Sequence, residues 1–281
     1  MRLFLAALTA AILATASARI GTASGTVLDR QPYRVGSETF YYTVYLPAGY
    51  DRDTRSYGVV YLLHGYGGAD TDWVRYGDAA FVADRLIADN LIPPTILVMP
   101  DGRNSWYVDS PYGDYETAFL GLVEHVDATY RTVPERATRA VGGLSMGGYG
   151  AARLAVKYPE RFAAAAVMSG AVFPEVSEEL TGLFGEVFGT PLDASRYRRE
   201  LPETLLERWT EGTEKPAFYV TVGDDDTLTP YPLSARLHGA LREAGARTQF
   251  RVTNGPHAWP VWQGALDDAL IFFTREFERY Y

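Results

Sequence analysis

Gly143-Leu144-Ser145-Met146-Gly147 follows an apolar run ending at Val141 and leads straight into Gly148-Tyr149-Gly150-Ala151-Ala152, a helix start built from small residues. A serine on such a sharp strand-to-helix turn projects its hydroxyl away from the backbone, and glycines two positions to either side keep side chains out of the turn. The position also sets Ser145 at a helix N-terminus, where unpaired N–H groups and the helix dipole favour developing negative charge. The five-residue pattern is short, so its meaning rests on what surrounds it.

Strand and helix signals alternate on both sides of the turn. Gly25 to Tyr50 is strand-like, most clearly over Thr39–Leu46, and predicts an opening antiparallel pair. Gly58–Leu63 and Thr95–Met99 are continuously apolar and read as buried parallel strands, with a helix around Phe81–Ala88 between them. From Tyr115 to Tyr130 the residues Phe119, Leu122, Val123, Val126 and Tyr130 form one helical stripe ahead of a short strand ending at Val141. Beyond Ser145 come a helix to about Lys157, a strand over Ala163–Met168 and an interrupted Glu-, Pro- and Gly-rich segment from Phe173 to Lys215. A connection of that length predicts a helical insertion, expected over the sheet edge. Ala217–Val222, the helix Leu233–Ala244 and Thr248–Val252 resume the alternation. A last helix carries Trp262, Leu266, Leu270, Phe273 and Phe277 on one face. The pattern predicts a single doubly wound α/β domain over residues 19–281.

Composition narrows the functional classes. The chain has 281 residues and a net charge of −9, with basic residues interspersed among acids, which argues against a nucleic-acid partner. Residues 1–18 stand apart: Met1-Arg2, an apolar run from Leu3 to Ala14, and Ala16-Ser17-Ala18 at a small-x-small cleavage position. They predict a signal peptide cleaved after Ala18 and a secreted or periplasmic protein, because the apolar run is shorter than the ~20 residues a spanning helix needs. With no cysteine, the chain excludes disulfides, thiolate metal sites and a cysteine nucleophile. Neither a metal nor an organic cofactor is implied.

In open α/β sheets, sites gather beyond the carboxyl ends of the strands. Four such positions converge here: His64-Gly65-Tyr66-Gly67-Gly68 after Leu63, the serine turn, Gly223-Asp224-Asp225-Asp226 after Val222, and Asn254-Gly255-Pro256-His257 after Val252. Serine, acid and histidine thus occur in the chain order of a hydrolase triad. Of the four histidines, His64 and His125 precede the serine and His238 lies within a helix, leaving His257 on a loop after a strand. One of the three aspartates would orient its imidazole, and spacing does not separate Asp224 from Asp226. The backbone N–H groups of Met146 and Tyr66 are the expected oxyanion donors, with His64 bracing the second loop. Trp106, Tyr107, Tyr149, Phe173 and Trp259 lie near strand-end loops and are the candidate lining of an aromatic acyl or sugar pocket.

Taken together, Tyr61-Leu62-Leu63-His64-Gly65, Met99-Pro100-Asp101-Gly102, Gly143–Gly150, Gly223–Asp226 and Gly255-Pro256-His257-Ala258-Trp259 resemble the esterase D / putative esterase family of α/β-hydrolases. The resemblance covers nearly all of residues 19–281. It implies the α/β-hydrolase fold, a mostly parallel doubly wound sheet with N-terminal antiparallel strands and a small helical insertion. It further implies Ser145 as nucleophile, His257 as general base and acid, and Asp226 rather than Asp224 as the third member. The implied activity is that of an exported serine carboxylesterase working through an acyl-enzyme on a small-molecule or polysaccharide-linked ester, with acetyl and feruloyl esters as candidates. The competing expectations are an acyltransferase of the mycolyltransferase type, whose usual Met-Ala-Gly is Met146-Gly147-Gly148 here, and a non-catalytic carbohydrate-binding relative.

Overall fold

The computed structural model of the chain describes residues 24–278; the expected signal at residues 1–18 lies outside them. An antiparallel pair, β1 (Thr26–Val35) and β2 (Glu38–Leu46), opens the chain as the alternation predicts. Then follow β3 (Gly58–Leu63), α1 (Asp72–Arg75), α2 (Ala79–Ala88) and β4 (Thr95–Pro100). A two-strand hairpin, β5 (Asp109–Ser110) with β6 (Gly113–Asp114), leads into α3 (Tyr115–Thr129). Next come β7 (Arg139–Leu144), α4 (Met146–Lys157) and β8 (Ala164–Met168). Three short helices occupy the predicted insertion: α5 (Thr181–Phe188), α6 (Ala194–Arg199) and α7 (Pro202–Leu206). The chain ends with β9 (Ala217–Gly223), α8 (Tyr231–Glu243), β10 (Thr248–Thr253) and α9 (Trp259–Glu278).

The main sheet has the order β1-β2-β4-β3-β7-β8-β9-β10, antiparallel at β1, β2 and β4 and parallel from β4 through β10. Alternate residues of one strand feed two cores. Val59, Tyr61 and Leu63 face the side covered by α3, α4 and α8, whereas Val60 and Leu62 face the side covered by α1, α2 and α9. Burial on both faces explains why β3 and β4 read as unbroken apolar runs. The chain moves outward from β3 to β4 and then crosses back to β7, so β3 and β7 flank a topological switch point, where a crevice opens beyond the strand ends.

Two sequence expectations are corrected. Strand β7 does not stop at Val141 but continues through Gly142-Gly143-Leu144. Gly142 and Gly143 pair with Leu62 and Leu63 of β3, and Gly142–Leu144 with Ala166–Met168 of β8, which keeps the strand in the sheet. The insertion does not lie over a sheet edge either. Edge strand β10 is mostly solvent-facing. Instead, Phe184, Val187, Phe188, Tyr197, Leu201 and Leu205 bury themselves in the α4 side of the core. Buried Arg153 of α4 pins this arrangement, donating to Glu200 of the insertion, to Glu116 of α3 and, at 3.2 Å, to the Tyr107 carbonyl. Its charge is matched on both sides, which is what makes such deep burial tolerable.

Candidate active site

Ser145 stands between β7 and α4 with φ 54° and ψ −117°, a left-handed conformation that costs a non-glycine residue roughly 1–3 kcal/mol and persists only where its surroundings enforce it. They do so through the backbone: the Ser145 N–H donates to the Met168 carbonyl at 3.0 Å, and its own carbonyl accepts from Tyr149 and Ala171, each at 3.0 Å. The flanking glycines are there for close approach. A Cβ at Gly143 would collide with the Gly147 carbonyl, and one at Gly147 with the carbonyls of Leu63 and His64. The turn can therefore nest against the end of β3 only with glycine at both places.

Acid and imidazole come from β9 and β10, which run parallel with Gly223 opposite Thr253. Asp226 is buried, and its Oδ2 lies 2.7 Å from Nδ1 of His257. Oδ1 of the same carboxylate accepts the N–H groups of Leu228 at 3.1 Å and Thr229 at 2.7 Å, and the Thr229 hydroxyl donates to Oδ2 at 2.8 Å. Burial alone would raise the Asp226 pKa, but the hydrogen bonds from His257 and Thr229 outweigh it and hold the carboxyl below its usual value. An ionised carboxylate only accepts, so Nδ1 of His257 is the donor in this pair. Asp224 is exposed and does different work: its Oδ1 accepts the Gly255 N–H at 2.8 Å, tying the histidine loop to the end of β9. Of the two aspartates that spacing left open, Asp226 is the one whose carboxylate meets the His257 imidazole.

Ser145 and His257 line one pocket of about 370 Å³, with Gly65, Tyr66, Gly67 and Gly68 on the β3 side and Leu183, Leu228, Trp259 and Trp262 opposite. Within the described residues, neither the Tyr66 N–H nor the Met146 N–H is taken up by a hydrogen bond. His64 braces the loop that carries Tyr66, as its position suggested. Its Nδ1 donates to the Gly65 carbonyl at 2.7 Å, and Nε2 accepts the Gly102 N–H at 2.9 Å, which requires the neutral ring. Burial lowers the His64 pKa in keeping with that role.

Of the aromatic residues expected in the pocket, only Trp259 lines it. Trp106, Tyr107, Tyr149 and Phe173 are buried behind the wall. Trp106 and Tyr107 both have left-handed φ, near 55°. Their polar atoms face the protein interior: Trp106 Nε1 donates to the Leu183 carbonyl at 2.9 Å, Tyr107 to His64 and Tyr149 to Glu200. Phe173 packs edge-on against Phe184. The residues that sequence reading missed are Thr229, Leu183, Leu228 and Trp262. Trp262 was placed on the core face of α9, yet its ring also meets the His257 imidazole edge-on at 4.9 Å. Thr229 had a visible signal, since an aspartate followed three residues later by threonine is a local Asx/ST pattern. Among the described residues no group of three His, Asp or Glu side chains is arranged to hold a metal ion.

A family model described as putative esterase matches residues 38–273. The chain belongs to this esterase family. Within it, the chain is 27% identical over 80% of its length to an endo-1,4-beta-xylanase/feruloyl esterase of Xylanibacter ruminicola, of which it spans only 28%. It is 24% identical over 80% of its length to an acetyl esterase of Caldicellulosiruptor saccharolyticus, of which it spans 86%. A solved structure named ferulic acid esterase is 29% identical, with a TM-score of 0.79 over 90% of this chain and 99% of that one. The fold is therefore that of the α/β-hydrolase esterases, as the sequence motifs implied. No helix among the described residues is long and apolar enough to cross a membrane.

Proposed function

We propose that this esterase-family chain is an exported serine carboxylesterase acting on acetyl or feruloyl esters of plant polysaccharide. One observation carries the reading: Ser145 shares a pocket with an imidazole, His257, whose other nitrogen is held by a buried carboxylate at 2.7 Å. In the proposed reaction, Ser145 Oγ attacks the ester carbonyl carbon while His257 Nε2 takes its proton. Oxygen charge builds on the carbonyl and is met by the N–H groups of Tyr66 and Met146, the second at the N-terminus of α4. As the C–O bond breaks, His257 returns the proton to the departing alcohol. Water, deprotonated by the same nitrogen, then cleaves the acyl-enzyme, releasing the acid and restoring the serine. Asp226 stays ionised throughout and stabilises the imidazolium.

The walls support this acyl preference. Trp259, Trp262, Leu183 and Leu228 make an apolar pocket of a size suited to a small aromatic acid. The relatives named feruloyl esterase and acetyl esterase support the same choice. Residues 19–281 are taken as one domain following the export signal. An ester panel carrying acetyl, butyryl, octanoyl and feruloyl groups tests the proposal. Feruloyl turnover no better than that of simple acetates would remove the aromatic-acyl assignment, and no turnover of any ester would remove the activity.

A further inference from the structure

A second cleft, of about 210 Å³, opens beside the Ser145 pocket and plays no part in the chemistry above. Glu38, Thr39 and Tyr41 contribute from the start of β2, Asp101 and Arg103 from the turn after β4, and Tyr112 from the β5–β6 hairpin. A hydrogen bond ties the two clefts together. Asn104, next to Arg103, accepts the N–H of Gly67 on its side-chain oxygen at 2.7 Å, and Gly67 lines the Ser145 pocket. From beneath, His64 holds Gly102 of the same turn.

The lining selects a class of ligand. Two carboxylates, Glu38 and Asp101, disfavour a phosphate or carboxylate guest, while Arg103 disfavours a cation. What suits all three groups is a neutral molecule with several hydroxyls, because carboxylates only accept and the guanidinium only donates, whereas a hydroxyl does both. The ring of Tyr112 adds partly exposed aromatic surface and is steadied by stacking on Tyr115 at 5.8 Å, whereas the Tyr41 ring already has the Arg30 guanidinium over it at 4.8 Å. An aromatic face beside directed polar groups fits a ring that carries hydroxyls at its edge and C–H bonds on its face. We infer that this cleft binds a neutral pyranose unit of a saccharide chain whose esterified unit lies at Ser145. The inference rests on the esterase reading for the second half of that statement and not for the first.

Binding is measured by titrating xylohexaose and cellohexaose into the full chain carrying Ser145→Ala, so that no turnover intervenes. At least one oligosaccharide binds, and adding Arg103→Ala or Tyr112→Ala weakens it about fivefold, the worth of one or two hydrogen bonds or a ring contact. In the otherwise wild-type chain the same two substitutions raise KM for an acetylated xylo-oligosaccharide by about fivefold, while kcat/KM for 4-nitrophenyl acetate stays within about twofold. Arg103 is exposed, so its replacement keeps the test informative should Tyr112→Ala fold poorly. Absence of oligosaccharide binding, equal losses on both substrates, or tighter binding of inorganic phosphate or calcium in the same cleft would each overturn the inference. Should the wild-type chain hydrolyse no ester and yet bind oligosaccharide through Arg103, the esterase reading falls and the saccharide cleft stands.

Discussion

His257 Nδ1 and Asp226 Oδ2 meet at 2.7 Å although 31 positions separate them, while Asp224, two residues from Asp226, turns to the Gly255 N–H instead. Neighbouring aspartates thus hold the same histidine loop by different means. Asp226→Asn is expected to lower kcat by about 10²–10⁴-fold, since an amide in that position no longer fixes the tautomer. Asp224→Asn is expected to cost less than about tenfold and to act mainly on stability, through a lost loop hydrogen bond. Initial rates on 4-nitrophenyl butyrate, with melting curves for both variants, check the pair. Equal small effects would place the acid elsewhere.

Burial keeps His64 neutral in the native chain and depresses its pKa, whereas in the unfolded chain it titrates near the ordinary value of ~6.5. Below that pH the unfolded state binds a proton that the native state refuses, so stability is present above about 6.5 and is lost as pH falls toward the native pKa. Urea unfolding between pH 8 and pH 5 should show this loss. His64→Gln should flatten it, by at most about 1.4 kcal/mol per pH unit. An unchanged slope in the variant would mean that His64 is not held neutral.

Arg153 is fully buried between Glu116 and Glu200, and it joins the insertion to α4. Replacing it with methionine leaves Glu200 without its guanidinium partner and Glu116 with only Lys157 and Tyr158, and is expected to cost about 3–5 kcal/mol. Arg161→Met, which removes an exposed pair with Glu124 at 3.8 Å, should cost less than about 1 kcal/mol. Denaturant titration separates the two, and comparable losses would show that the buried cluster carries no special weight.

Trp259 lines the pocket and rests edge-on against Trp73 at 5.4 Å and Trp262 at 5.5 Å. Trp259→Ala is expected to reduce kcat/KM for methyl ferulate by about tenfold or more, while 4-nitrophenyl acetate changes less than about threefold. Tyr149→Phe, whose hydroxyl points at the Glu200 carbonyl, should leave the ratio of the two substrates alone. A shift in that ratio for Tyr149→Phe, or none for Trp259→Ala, would mean that the wall has been misassigned.

Strand ends and loop chemistry were readable in advance because they depend on local sequence: apolar runs marked β3 and β4, and glycine spacing marked the turn at Ser145. The pairing of Asp226 with His257 was not readable from spacing, since it depends on which carboxylate of the loop after β9 turns toward the loop after β10. Four pocket candidates were misplaced for a related reason. Proximity to a strand end says nothing of the direction a ring takes, and Trp106, Tyr107 and Tyr149 each turn their polar atom to a carbonyl inside the protein. Leu183 and Leu228 escaped notice because they reach the pocket only through the tertiary placement of the insertion and of the loop that follows Asp226.

The central claim is that Ser145 is the activated nucleophile. Treating the folded chain with a fluorophosphonate and mapping the adduct by peptide mass spectrometry tests it most directly. The account predicts a single stoichiometric adduct on the peptide containing Ser145, lost in Ser145→Ala together with at least about 10³-fold of the esterase rate. Labelling at another serine, or a Ser145→Ala variant that folds and still turns over ester at the wild-type rate, would contradict it.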